Sequence, residues 1–258
     1  AMGEALMGGL LARKMLTPTQ VTVFDVSRER LQFLKERYGV VIGDSGQAVA
    51  AASDILFLTI KPQVMSSVLT DISKLVKQTT LVVSIAAGIK IATLEKYLPR
   101  VPVIRVMPNT PVAVGEGMSA VAKGSCADET AADLVSTMFS AVGRAVQVDE
   151  SMMDAVTGLS GSGPAFFFLM LDALSDAGVR VGFSRQNALL LSAQTMLGAA
   201  KMVLETGEHP GKLKDMVTSP GGTAITGVHM LEMHSIRASL IEAVVAATAR
   251  SRDMGKEQ

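Results

Sequence analysis

The chain has 258 residues, room for one large domain or two ordinary ones; at 48% hydrophobic with a single cysteine, Cys126, it must build its core without an internal disulfide, in keeping with a reducing cytoplasm. Lys+Arg and Asp+Glu balance at 24 each, which leaves no excess charge to favour nucleic acid or an anionic membrane. Only 19% of residues are charged and mean hydropathy is +0.37, an apolar surplus that predicts surface buried between subunits.

The opening Ala1-Met2-Gly3-Glu4-Ala5-Leu6 lacks the basic start and cleavage site of a secretory signal and reads instead as the start of a helix. Small and apolar residues at helical spacing carry that helix from Met2 to about Leu16, where Thr17-Pro18-Thr19 ends it. Val21-Thr22-Val23-Phe24 reads as a buried strand ending at Asp25, and Ser27 is placed to cap a helix from Arg28 to about Tyr38. Three further strands follow. Asp54 to Ile60 stops at Lys61-Pro62, Thr80 to Ile85 closes with Ala86-Ala87-Gly88, and Val103 to Met107 closes with Pro108-Asn109-Thr110-Pro111. A β-α-β stretch from about Gly117 to Val148 completes this half.

Strands that are near-continuous apolar runs, alternating with helices, predict a parallel sheet covered on both faces. Ligands of such sheets bind outside the carboxyl ends of the strands. The residues just after each strand are therefore the ones to watch. After about Glu150 strand signals vanish. Helices are expected over about Met152–Leu159, Pro164–Val181, Ser184–Thr206, Pro210–Val217 and Thr223–Gly255. The fold class is an α/β dinucleotide-binding domain over residues 1–150 followed by an all-α domain over 151–258. The longest apolar run, Ala165–Leu171, ends at Asp172, far short of the roughly 20 residues of a membrane span. A helix apolar on nearly all sides is buried all round, and so few helices cannot bury it unaided; they are expected to interleave with a second subunit.

Met2-Gly3 fits the tail of a G-x-G-x-x-G loop, with Gly3 as the third glycine where helix packs on strand. The strand and two glycines that would precede it are not in this sequence. Asp25, roughly 20 residues on, either accepts from a ribose 2′-hydroxyl or is a solvated turn residue; Ser27 and Arg28 beside it could serve a 2′-phosphate instead. In the helical half, two Gly/Ser loops enter helices: Thr157 to Pro164, and Val217-Thr218-Ser219-Pro220-Gly221-Gly222-Thr223-Ala224. Loops of this kind turn several N–H groups toward one point at the positive end of a helix dipole, and so suit an anion. The three histidines, His209, His229 and His234, have no metal-ligand spacing, and no metal is expected.

Taken together the motifs resemble the pyrroline-5-carboxylate reductase family. The matching strings are MGEAL from Met2, KPQ from Lys61, SIAAG from Ser84, RVMPNTP from Arg105, DAVTGLSGSGPA from Asp154, HPGKLKD from His209 and TSPGGTA from Thr218. They follow one another through the whole chain, and GLSGSGPA and SPGG are the specific ones. The resemblance implies a Rossmann-type N-terminal domain and a helical dimerisation domain, with dimers often assembled further into rings; the balanced charge points to no nucleic-acid or membrane partner. The resemblance also implies hydride transfer from NADPH or NADH to a small-molecule substrate, the ring C=N of 1-pyrroline-5-carboxylate, giving proline. By position, Met2, Gly3, Ile60, Lys61, Pro62, Ala86, Ala87 and Gly88 line the cofactor, with Met107, Pro108 and Asn109 near the nicotinamide. The substrate loop is Val217, Ser219, Gly221, Gly222, Thr223 and Ala224, with Ser219 and the backbone of Gly222–Ala224 on the carboxylate. The reaction centre falls at Ser219, Thr223 and Ala224. Many relatives have threonine where this chain has Ala224, so Thr223 or a water must serve the imine nitrogen; Gly46 likewise stands where many have asparagine.

Overall fold

The structure is a computed structural model and describes residues 2–255. The chain divides into two compact units, residues 1–162 with 245–258, and residues 163–244.

The first unit is α/β. Helix α1 (Met2–Ala12) is followed by β1 (Thr22–Val23), α2 (Arg28–Tyr38) and β2 (Val41–Ile42), which pairs parallel with β1. The strands are shorter than the sequence pattern predicts. Ser27 Oγ accepts the Arg30 N–H at 3.2 Å to start α2, and Gly39, at φ 71°, ends it. After α3 (Gly46–Ala52), a second sheet follows chain order: β3 (Ile55–Leu58), β4 (Leu81–Ser84), β5 (Val103–Met107), β6 (Gly117–Lys123) and β7 (Gly143–Gln147). Helices α4 (Met65–Ile72), α5 (Ile91–Tyr97) and α6 (Glu129–Ser140) connect them.

Strands β3, β4 and β5 are parallel, as their apolar runs predict. Strand β6 is antiparallel to β5, and β7 is parallel to β6. The wholly parallel sheet is thus corrected at one place, and the reason is length. Only the short turn between Met107 and Gly117 joins β5 to β6, too little chain for a crossover of a dozen or more residues. Every residue of β4 is buried, and alternation sends its side chains to two cores. Leu81 and Val83 join Leu6 and Leu10 of α1 and Val135, Met138 and Phe139 of α6. Val82 joins Met65 and Leu69 of α4 and Leu94 of α5. Helices on both faces therefore hold the strand ends in a fixed row.

Beyond β7, α7 (Met153–Val156) runs directly into a π-helical turn, Thr157–Gly161. The sequence reads helix to about Leu159 and a Gly/Ser loop over Thr157–Pro164. Helix extends through the first part of that loop, with the Ser162 N–H on the Thr157 carbonyl at 2.8 Å.

The second unit is all helical: α8 (Gly163–Arg180), α9 (Arg185–Thr206), α10 (Pro210–Met216), α11 (Thr223–Met233) and the first part of α12 (Ile236–Met254). The sequence predicts continuous helix from Thr223 to Gly255. The structure breaks it at Ser235, in the left-handed region at φ 57°. Helices α8 and α9 approach closely where Gly178 meets Ala188; a Cβ on Gly178 would lie 2.7 Å from that of Ala188. Little else in this unit is buried. On α8 only Gly163, Pro164 and Ser175 are, while Phe168 is 63% and Leu169 71% exposed. Contiguous exposed apolar side chains of this kind mark a surface another protein covers. No helix among the described residues is long and apolar enough to cross a membrane.

Candidate functional site

The parallel strands of the first unit deliver several predicted residues to their carboxyl ends. Gly3 opens α1 against the end of β3; a Cβ there would lie 2.6 Å from Thr59 Oγ1 and 2.9 Å from Thr59 Cβ. Only glycine lets the helix start this close to the strand, and the first-turn N–H groups at that end suit an anion. After β1, Asp25 Oδ1 accepts the Ser27 N–H at 2.9 Å. Asp25 and Ser27 thus build the turn, and with Arg28 they are exposed. After β3, Ile60 is half-buried, Lys61 exposed, and Pro62 begins a 3-10 turn, Pro62–Val64. After β4, Ala86 is buried and Gly88 sits at φ 79°, so the backbone turns with no side chain in front of it. After β5, Pro108 is buried and Met107 half-buried. The edge thus carries a helix start packed close on the strand end, small residues at Ala86 and Gly88, and exposed polar groups at Asp25, Ser27 and Arg28, a lining that can hold a dinucleotide.

Three arrangements escape sequence reasoning because their partners are far apart in the chain. Glu4 of α1 pairs with Arg30 of α2 and accepts the Tyr38 hydroxyl at 3.1 Å. Burial opposes ionisation of Glu4, but the hydrogen bonds from Arg30 and Tyr38 hold its carboxyl below the usual range; burial and the Glu4 contact push the Tyr38 phenol up. Glu150 Oε1 accepts the Ile91 N–H, at the start of α5, at 2.6 Å and Arg105 Nη1 at 3.1 Å. Arg105, 5% exposed, sits in β5 just ahead of Met107. Asn109 uses both ends of its amide: Oδ1 accepts the Met118 N–H at 2.8 Å, and Nδ2 donates to the Ser160 carbonyl at 3.0 Å. A groove of about 440 Å³ runs along α1 past Glu4, Gly8, Arg13, Arg37 and Val112, and none of the predicted site residues lines it.

In the helical unit, Val217 ends the α10 segment and Ser219-Pro220-Gly221-Gly222 forms a tight turn. The Gly222 N–H donates to the Ser219 carbonyl at 3.0 Å, with Gly221 at φ 67°. Proline second and a left-handed glycine third are the demands of a type II turn. That bond removes the Gly222 N–H from the donors the sequence suggests. Helix α11 then starts at Thr223, with Gly222 as N-cap and no side chain capping it. Its first N–H groups, on Thr223 and Ala224, point out of the helix end. The missing Cβ of Gly222 leaves the space that the Ser219 hydroxyl occupies. Ser219 Oγ thus lies beside the uncapped, positive start of α11, an end whose free N–H groups suit a small anion. Among the described residues no three His, Cys, Asp or Glu side chains gather as a metal site requires.

A Rossmann-like α/β unit with its ligand edge at the strand ends, followed by a helical unit with an uncovered apolar face, defines a two-domain, oligomeric oxidoreductase. Family models agree on both halves. Residues 1–88 match the model described as NADP oxidoreductase, coenzyme F420-dependent, and residues 150–254 match pyrroline-5-carboxylate reductase dimerisation. The pyrroline-5-carboxylate reductase of Methanosarcina acetivorans is 48% identical over 257 residues, 99% of this chain and 95% of that one. The solved reductase structure from Coxiella burnetii superposes with a TM-score of 0.93 at 33% identity, covering 98% of this chain and 94% of that one. The Plasmodium falciparum reductase, solved with NADP bound, gives 0.87 at 31% identity over 98% and 94%. The chain belongs to the pyrroline-5-carboxylate reductase family. Its helical unit is a homo-oligomerisation domain, which explains the bare apolar face.

Proposed function

We propose that this chain reduces 1-pyrroline-5-carboxylate to L-proline with NADPH or NADH, the last step of proline biosynthesis, in the cytoplasm. The observation that carries the reading is the uncapped start of α11, framed by Ser219, Thr223 and Ala224. It suits a small carboxylate without a buried basic side chain. We assign cofactor binding to residues 1–150 and substrate binding and dimerisation to residues 151–258.

Met2 and Gly3 at the start of α1 face the cofactor phosphates, and Asp25, Ser27 and Arg28 the adenosine ribose. Ile60, Lys61, Pro62, Ala86, Ala87 and Gly88 line its length, and Met107, Pro108 and Asn109 flank the nicotinamide. Bound there, the reduced nicotinamide supplies a hydride. That hydride would reduce the ring imine carbon, with the nitrogen carrying one proton in the secondary amine of proline. Ser219 Oγ and the N–H groups of Thr223 and Ala224 hold the carboxylate, while Val217, Gly221 and Gly222 shape the loop. Ala224 carries no donor side chain, so the Thr223 hydroxyl or a water holds the nitrogen proton.

The test is loss of reduced-nicotinamide absorbance with pyrroline-5-carboxylate, run with NADPH and NADH; turnover with neither cofactor by a folded oligomer refutes the assignment. We further propose that dimers built through the helical domain assemble into a larger ring, which sedimentation equilibrium tests; a plain dimer at all concentrations refutes it.

A further inference from the structure

The carbonyl of Ser160 has a local problem. In continuing α-helix it would accept the N–H of the residue four positions on, which is Pro164 and has none. The π-helical turn Thr157–Gly161 ends here, and single π-turns inside helices recur at functional sites. The donor comes from elsewhere in the first unit. Asn109 Nδ2 reaches Ser160 from a position 51 residues earlier, while its Oδ1 holds the Met118 N–H at the start of β6. Beside this bridge the Met107 methyl occupies the room left by the missing side chain of Gly161, where a Cβ would lie 2.8 Å from Met107 Cε. Met107, Pro108 and Asn109 are consecutive, so the turn that ends β5 is fastened to two segments at once.

We propose that Asn109 is a positioning residue: its amide pins the Met107–Pro108 turn between β6 and the π-turn, and so sets the wall against which the nicotinamide rests. The kinetic part rests on the reductase reading above, and the structural part does not. Asn109→Asp keeps the acceptor for Met118 and puts a carboxylate oxygen against the Ser160 carbonyl. Asn109→Ala removes both bonds.

The first measurement is hydrogen–deuterium exchange on the cofactor-free protein. Residues 157–165 should exchange about tenfold faster in both variants, and the Met118 amide faster only in the Ala variant, as expected when single hydrogen bonds are lost. Adding Pro164→Ala to the Asn109→Asp chain restores a local N–H for Ser160 and should return protection to residues 157–165. In turnover, kcat should fall about tenfold to a hundredfold from sub-ångström misplacement, with NADPH Kd within about threefold and a larger isotope effect from 4-deuterated NADPH. Unchanged exchange in both variants, or no recovery with Pro164→Ala, overturns the bridge. A tenfold weaker NADPH Kd with kcat preserved overturns positioning in favour of direct cofactor contact. A wild-type chain inert toward pyrroline-5-carboxylate refutes the reductase reading and leaves the exchange experiment to judge the bridge alone.

Discussion

Gly3→Ala is the smallest change that reaches the proposed phosphate end of the cofactor. The added methyl would sit 2.6 Å from Thr59 Oγ1, 2.9 Å from Thr59 Cβ and 3.1 Å from Thr59 Cγ2. Ordinary carbon contacts begin at about 3.5 Å, so α1 must withdraw from the end of β3 by somewhat under an ångström, or Thr59 must turn away. Overpacking of this kind costs about 1–3 kcal/mol. That sum is small against the two cores that hold α1, one through Leu6 and Leu10 and the other through Met7, and the protein should stay folded. The site should suffer more, because misplacement of about 1 Å can cost about a hundredfold. We expect NADPH Kd from calorimetry to rise at least tenfold with Tm lowered by a few degrees. Thr59→Ala in the same chain removes Oγ1 and Cγ2 and should recover much of the loss. Gly3→Ala binding NADPH within twofold of wild type would show that the close approach of α1 and β3 has no part in cofactor binding.

Ser219→Ala should raise the substrate KM about tenfold or more, the worth of a hydrogen bond to a charged group, and leave NADPH Kd unchanged; an unaltered KM refutes the carboxylate role. Glu150→Ala leaves the buried Arg105 guanidinium and the start of α5 without their shared acceptor, and breaking such a pair costs about 3 kcal/mol. Thermal unfolding should show a clear drop in Tm, and a shift below one degree would contradict it. Glu4 has a lowered pKa in the fold, so the stability it adds is present above the ordinary carboxylate range and is lost as pH falls through its depressed value. The Tm difference between wild type and Glu4→Gln should therefore be largest near neutrality and shrink on acidification. Tyr38 is shifted upward, so its contribution is present below the ordinary phenol range and is lost as alkaline pH passes through the raised value; a Tyr38→Phe series above that range should converge on wild type.

Much of the fold could be read in advance because it is local. Apolar runs such as Leu81–Ser84 announce a strand buried on both faces, and Ser27 before a helix or Pro-Gly at 220–221 announces a cap or a turn through residue chemistry alone. The family strings follow one another along the chain in the order of the strand ends and the turn before α11. Reading failed where the decisive contact was distant. Thr157–Pro164 reads as a Gly/Ser loop entering a helix, yet Thr157–Gly161 forms a π-turn, where Pro164 withholds an N–H and Asn109 supplies one from the turn after β5. The same blindness hid Glu150 under Arg105, and the break at Ser235, which no glycine or proline marks.

The sequence by itself thus determined the periodicities, the turn chemistry, the two-part organisation and, through its motifs, the family; each follows from residues within a turn or two of one another, or from strings carried whole. Only the tertiary structure decided which way β6 runs, which donors of the 217–224 turn are already spent, and what the Asn109 amide holds. Those are questions of satisfying polar groups and short connections in three dimensions, and the Asn109 amide finds its partner 51 residues away.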